Sequence, residues 1–267
     1  MKTVATTMST EFSRIWAYRH LCVHLAFSDL RARFRRSYLG ILWAMLQPLL
    51  MTIALSVVLV YVFDQSFQEY SIYVYTGLIA WEFVAAGFTL GAVSLVGAEG
   101  YLKQSRIPLV IFAFKAMIHA GVIFLFAFFG FALYALFVKP EIVGASWLLL
   151  PAFWAVAIFS VTPLAVISSI LNMRVRDYQQ ALGLLLQVAV YVSPIFIARE
   201  IFNKSHLAVF TYFNPVAAYV DFFRAIIIQG RLPSTHDVMS CLLYGTLFWI
   251  VAIIVVRKNE QKIIYFF

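Results

Sequence analysis

The fold class of this chain is decided by ILWAMLQPLLMTIALSVVLVYVF, the stretch from Ile41 to Phe63. It contains no charged residue, and its one helix-breaking residue is Pro48. A bilayer-spanning helix needs about 20 consecutive, mostly apolar residues, because only a helix or a closed barrel satisfies its backbone in hydrocarbon. The stretch therefore predicts a transmembrane helix, in which Pro48 is tolerated as a kink.

The composition of the whole chain agrees with that prediction. Of its 267 residues, 63% are hydrophobic and 12% are charged, and the mean hydropathy is +0.90. A soluble domain normally carries about 25% charged residues. The apolar stretches are continuous rather than alternating, which favours helices over a barrel. Because the basic residues flank these stretches, the net charge of +8 indicates membrane orientation rather than nucleic-acid binding.

The predicted fold class is all-α integral membrane, with residues 1–267 forming a single transmembrane domain. The six predicted spans are 41–63, 72–96, 107–138, 147–171, 181–197 and 238–256. Ahead of them, residues 11–36 repeat apolar side chains at three- and four-residue steps among arginines. That pattern predicts an amphipathic helix at the membrane interface, with an ordinary surface helix as the alternative.

Residues 207–229 are long enough to cross, but Asn214-Pro215 interrupts them and Asp221 and Arg224 lie in their second half. With six crossings, 14 of the 20 lysines and arginines face the cytoplasm, whereas a seventh crossing would place the basic C-terminal tail outside. We therefore predict a re-entrant helical pair on the outer side and both chain ends in the cytoplasm. Irregular backbone at that depth is allowed only where protein buries it or water fills a cavity.

Glu82 is the most informative single charge, because it lies midway along the second predicted span beside Trp81. A carboxylate at that depth is costly and usually faces the bundle interior or water. Three interpretations stay open: a polar group in a channel wall or protomer interface, a packing residue bonded to a neighbouring Ser, Thr or Tyr, or a proton-coupling acid.

Two other groups of residues carry chemistry by their type. A dense basic patch precedes the first span and consists of Arg31, Arg33, Arg35 and Arg36. Guanidinium groups bind phosphate by paired hydrogen bonds, so the patch could hold a lipid pyrophosphate head group. Orientation and contact with anionic lipid are the alternative. Aromatic side chains crowd the outer ends of the first two spans, as an interfacial belt or as the lining of a sugar path. They include Tyr61, Tyr70, Tyr73 and Trp81.

The sequence argues against an enzyme. It holds no phosphate-binding Gly-x-x-x-x-Gly-Lys loop, no His-Glu-x-x-His pair and no paired-cysteine motif. His20 and His24 lie one helical turn apart without a third ligand nearby, so we predict no metal site. Any ATP used by this protein must therefore bind to another chain. Gly87 and Gly91 form a small-xxx-small face suited to close helix packing.

Several motifs resemble one family of membrane proteins. Arg36–Pro48, RSYLGILWAMLQP, resembles the entry to the first span of type-2 ABC exporters, and in particular of permease subunits that export O-antigen, capsule or teichoic-acid chains. YTGLIAW at 75–81, KQSRIPL at 103–109 and FNP at 213–215 resemble the start of the second span, the following loop and the outer re-entrant motif. The resemblance runs in order over almost the whole chain. Glu82 stands where a neutral or amide residue is expected, so no role is carried over to it.

The resemblance implies a homodimer of permeases in the inner membrane with two cytosolic ATP-binding subunits, which bind ATP and Mg, while this chain binds no cofactor. The substrate it implies is polysaccharide linked to undecaprenyl diphosphate. The first and fifth spans would flank a lateral gate, and the pair around Asn214 and Pro215 would help to close the channel. A coupling segment touching the ATPase would consist of Glu99, Tyr101, Lys103 and Arg106.

Other functions stay open on the sequence alone. A type-2 ABC permease for a drug or a simple lipid would have the same architecture. An ion-coupled secondary transporter would need no ATPase and would lose coupling in Glu82→Gln. A membrane glycosyltransferase or phosphotransferase would need an acidic metal-binding cluster, for which Asp29 and Asp177 are too isolated.

Overall fold

A computed structural model describes residues 16–104, 107–175, 177–199, 201 and 211–259. Its regular elements in these ranges are helices, without a strand, so the predicted all-α class is confirmed. The α-helices are α1 (Arg19–Phe34), α2 (Trp43–Phe63), α3 (Phe67–Ser94), α4 (Glu99–Gln104), α5 (Val110–Val138), α6 (Leu150–Arg174), α7 (Tyr178–Val192), α8 (Pro215–Ile227) and α9 (Thr235–Asn259).

Five segments within the described ranges are long and apolar enough to cross a membrane. They are Gly40–Val62, Phe67–Ser94, Val110–Val138, Ala145–Arg174 and Thr235–Asn259. The chain is therefore a multi-pass helical membrane protein. The segment predicted as a fifth span at 181–197 forms α7, which has 15 residues and ends before Ser193 and Pro194. At 1.5 Å per residue α7 covers about 22 Å, less than the hydrocarbon core of about 30 Å. Six crossings thus stay a prediction.

Helix α3 lies at the centre of the bundle and packs against α2, α5, α6, α7 and α8. Of the 18 residues compared in each helix, 61% are buried inside the protein in α3, whereas 17% are buried in α2 and in α9. A side-chain cap sets the polar turn before α3. The hydroxyl of Ser66 accepts a hydrogen bond from the Glu69 backbone N–H at the start of α3.

The contact between α3 and α6 depends on two glycines of α3. A Cβ added at Gly91 would lie 2.5 Å from the Ala165 Cα, and one at Gly87 would lie 2.1 Å from a methyl carbon of Val161. Both distances are far inside van der Waals contact. The predicted small-xxx-small face is therefore confirmed, and it lets the backbones of α3 and α6 approach closely.

Helix α1 lies against α5, and the part of the predicted interfacial helix at 11–15 falls outside the described residues. The Cys22 thiol donates to the Ile111 carbonyl at 3.5 Å, and burial raises the pKa of this thiol to about 11. Asp29 forms an ion pair of 2.7 Å with Lys115, the basic residue inside the third span. One face of α1 thus packs on protein, while Val23 and Phe27 remain exposed.

The second limb of the predicted outer re-entrant pair is α8. Asn214 caps this helix by accepting a hydrogen bond from the Val216 backbone N–H, and Pro215 occupies its first turn. Residues 202–210, which include most of the first predicted limb, fall outside the described part of the chain. Most of α8 is buried, and it packs against α3 and α9.

We predict that Gly91→Ala lowers the stability of the bundle, whereas Gly183→Ala does not. The new methyl group at position 91 would clash with the backbone of α6, and overpacking costs about 1–3 kcal/mol. Position 183, on α7, has open space around an added Cβ. Thermal unfolding in detergent measures the difference. Equal melting temperatures for the two variants would contradict the close approach of α3 and α6.

Candidate functional site

A groove of about 700 Å³ separates α2, α3 and α7 and contains the Glu82 side chain. We call it the membrane groove. The side chains around it are mostly apolar and aromatic, with one carboxyl and one amide among them. They belong to Trp43, Gln47, Leu50, Met51, Ala54, Leu78, Trp81, Glu82, Val190, Tyr191 and Phe196.

Helix α3 places Glu82 at this groove because the same face carries Leu78, one turn earlier, and Trp81. The Glu82 carboxyl makes neither a hydrogen bond nor an ion pair with any side chain in the described ranges, so the bond to a neighbouring Ser, Thr or Tyr does not occur there. Glu82 is therefore a carboxyl that faces open space without a fixed partner in the described chain.

A second cavity, of about 280 Å³, lies on another side of α7 and is almost wholly apolar. Side chains from α3, α6, α7, α8 and α9 surround it, and Trp81 and Pro215 are among them. Leu182 is the one buried residue within α7, whose closest packing is against α3 and α6. At the N-terminal end of α7, the Tyr178 hydroxyl lies 2.9 Å from the Ser168 hydroxyl. Helix α7 thus borders the second cavity between Leu182 and Ala189, and the membrane groove at Val190 and Tyr191.

The C-terminal end of α7 is held much more firmly, through the segment 193–197 that follows it. The Tyr70 hydroxyl donates to the Phe196 carbonyl at 2.9 Å. The Tyr73 hydroxyl lies 3.3 Å from the carbonyl oxygens of Pro194 and Ile197. These two predicted channel residues therefore use their hydroxyl groups to position backbone. Tyr61, by contrast, lies 87% exposed on α2 and takes no part in this contact.

Arg224 of α8 is the central residue of that attachment. Its guanidinium donates to the carbonyl oxygens of Pro194 at 2.6 Å, Ile195 at 2.9 Å and Tyr73 at 3.0 Å. It also lies 3.5 Å from the centre of the Tyr73 ring, a cation–π contact. The side chain is 4% exposed. A Cβ at Gly77 would come within 2.6 Å of this guanidinium, so the glycine leaves the room that Arg224 needs.

Further polar contacts hold the same region. The Asn214 amide donates to the Ser193 hydroxyl at 3.0 Å, so the predicted Asn-Pro motif joins α8 to the end of α7. Arg199 forms an ion pair with Asp221 of α8 and lies 3.9 Å from Asp237 of α9. Asp221 and Arg224, whose charges argue against a crossing in the sequence, both belong to this network, which no local sequence pattern predicts.

The basic patch lies at the end of α1 and in the turn that leads to α2. Its four members, Arg31, Arg33, Arg35 and Arg36, are all exposed. Arg36 has a left-handed backbone with φ of 71°, which turns the chain sharply before the first span. Their guanidinium groups are open to an anion, since none forms an ion pair within the described ranges.

The predicted coupling segment is helical rather than a loop. Glu99, Tyr101 and Lys103 belong to α4, and Arg106 falls outside the described residues. Lys103 pairs with Glu99 at 2.6 Å, four residues apart, which favours a helical turn. Tyr101 remains 45% exposed beside this pair, so α4 presents both a ring and charges on its surface.

We predict that Arg224→Met lowers the free energy of unfolding by about 3 kcal/mol, because buried carbonyl groups lose a charged donor. Arg231→Met is the matched control, since Arg231 is exposed and its side chain bonds only to Gln229 among the described residues. Chemical unfolding in detergent measures both variants. Unfolding curves for the first variant that match those of the control would show that Arg224 does not hold the segment 193–197.

Comparison with known proteins gives relatives of one kind, and no protein-family model matches the chain. An O-antigen export system permease protein RfbA of Klebsiella pneumoniae is 23% identical over 249 residues, which cover 91% of this chain and 93% of the relative. A second RfbA of the same species is 24% identical over the same shares. RfbA of Myxococcus xanthus is 22% identical over 92% of this chain and 95% of its own length.

Proposed function

We propose that this chain is the membrane-spanning permease subunit of an ATP-driven exporter that moves polysaccharide on undecaprenyl diphosphate across the cytoplasmic membrane. The observation that carries the proposal is similarity to O-antigen export permeases over more than nine tenths of this chain and of each relative. Similarity in order along the whole length, together with an all-helical membrane fold, supports the same overall architecture rather than one shared motif.

The membrane groove is the proposed path for the glycan. It lies beside the C-terminal end of α7, where Val190 and Tyr191 line it, and the second cavity borders the same helix between Leu182 and Ala189. Aromatic rings stack on the apolar faces of sugars and tolerate movement from one unit to the next, and four line this groove: Trp43, Trp81, Tyr191 and Phe196. We propose that α7 and α2 flank a lateral gate that admits the lipid-linked chain.

The proposed topology has six crossings, with α7 and the segment 193–197 together completing the fifth. Both chain ends then lie in the cytoplasm, and α8 dips into the outer leaflet. The buried contacts of Arg224 support this layout, because irregular backbone at membrane depth requires protein partners for its carbonyl groups. The basic patch and α4 then both lie on the cytoplasmic side.

The proposed assembly contains two copies of this chain and two cytosolic ATP-binding subunits. ATP and Mg bind to those partners, and this chain carries no cofactor. Helix α4 and Arg106 form the proposed contact with the ATPase. An exposed helical turn with both charge signs and a tyrosine fits such a contact. Membrane lipid surrounds the apolar faces of α2 and α9.

Two other transport functions are less well supported. A drug or simple-lipid exporter does not account for similarity to relatives named for O-antigen export. An ion-coupled transporter needs an intramembrane acid with a basic partner on its path, and the Glu82 carboxyl forms no ion pair in the described part of the chain. An ATPase gene beside glycosyltransferase genes would favour polysaccharide export over the first alternative. Transport that depends on a proton or sodium gradient would favour the second alternative.

We predict that a cytosolic ATPase co-purifies with this chain in detergent and that the reconstituted complex moves lipid-linked glycan only when ATP is present. Proteoliposomes containing the organism's own glycolipid measure this, with a Walker-lysine variant of the ATPase as the control. Transport by the permease alone, driven by an ion gradient, would contradict the proposal.

We predict that Arg33→Ala with Arg35→Ala lowers export at least tenfold without reducing membrane insertion, because the head-group phosphates lose paired donors, each worth about 1.5–3 kcal/mol. Arg19→Ala is the matched control on the same helix outside the basic patch. Surface glycan is measured by immunoblot and permease by its abundance in membranes. Normal export in the double variant would remove the head-group role.

A further inference from the structure

The Glu82 carboxyl lies where a membrane protein rarely leaves one, at mid-span and beside a large open groove. Within the described ranges no group donates a hydrogen bond to this carboxyl, although an ionised carboxylate can accept at about four positions. The buried polar groups of proteins are normally satisfied, so a carboxyl without a partner indicates a ligand or water that supplies donors. Gln47 of α2 lines the same groove and adds an amide.

We propose that Glu82 and Gln47 form a saccharide-binding subsite in the membrane groove. Hydroxyl groups of one sugar unit donate to the Glu82 carboxyl, and the rings of Trp81 and Tyr191 contact its apolar face. The inference rests on the proposed function and adds to it a residue that selects among sugars. Because a carboxyl accepts from two adjacent hydroxyls at once, the subsite favours units with a free pair of neighbouring hydroxyl groups.

The lining of the groove separates a sugar from the other occupants that a membrane offers. A hydrocarbon chain brings no donor, so its entry would leave the Glu82 carboxyl without a hydrogen bond. A metal ion needs several ligands together, and within the described ranges no group of three or more His, Cys, Asp or Glu side chains could hold one. A sugar satisfies the carboxyl and the aromatic rings at the same time.

The test measures binding of octyl β-D-glucopyranoside to the permease–ATPase complex in phosphatidic acid nanodiscs, below the micelle concentration of the probe, by tryptophan fluorescence. Tetraethylene glycol octyl ether has the same alkyl chain without a sugar and is the probe control. We expect a saturable change with the glucoside and none with the ether. Phosphatidic acid carries neither an ammonium group nor a pair of neighbouring hydroxyl groups, so the lipid does not compete for the subsite.

Variants locate the effect. Glu82→Leu should weaken glucoside binding by about tenfold or more, since a hydrogen bond to a charged group is lost. Glu82→Gln, which keeps the side-chain shape and one acceptor, should weaken it less. Glu69→Gln is the matched control on the same helix, outside the groove. Equal responses to the two probes, or unchanged binding in both Glu82 variants, would overturn the subsite. ATPase co-purification with the Glu82 variants tests the exporter function separately.

Discussion

The guanidinium of Arg224 satisfies carbonyl groups at the place where α7 stops being a helix. Backbone that leaves a helix at membrane depth has no water to bond with, so protein must supply its donors. Tyr70 and Tyr73 of α3 supply further donors to these carbonyl groups, and Asn214, before α8, donates to the Ser193 hydroxyl. This attachment joins the end of α7 to α3 and α8.

The attachment leaves α7 held unevenly along its length. The segment after its C-terminal end is joined to α3 and α8 by hydrogen bonds, whereas its helical part borders two cavities and buries one residue, Leu182. Segments with few buried apolar contacts are those that open most readily. A helix held most firmly at one end suits an exporter, because the rest of the helix can move to admit substrate.

The sequence predicted the parts of this structure that depend on local composition. Apolar length alone indicates α2, α3, α5, α6 and α9, since each must satisfy its own backbone in hydrocarbon. The end of α7 and the role of Arg224 depend on contacts between residues about 30 and 150 positions apart, which no local pattern reveals. The free-energy cost of a carboxyl at mid-span makes Glu82 unusual in the sequence itself. The open groove beside it could not be predicted, because it depends on how α2 and α7 pack in three dimensions.

The central claim is that α7 and the segment after it cross the bilayer, and cysteine labelling tests it most directly. Lys139→Cys and Leu232→Cys lie on either side of the α6–α7–α8 segment along the chain, in variants whose native Cys22 and Cys241 are replaced by alanine. If α7 crosses, a membrane-impermeant maleimide labels both new cysteines from outside intact cells. Labelling of position 139 from outside and of position 232 only after permeabilisation would contradict the account.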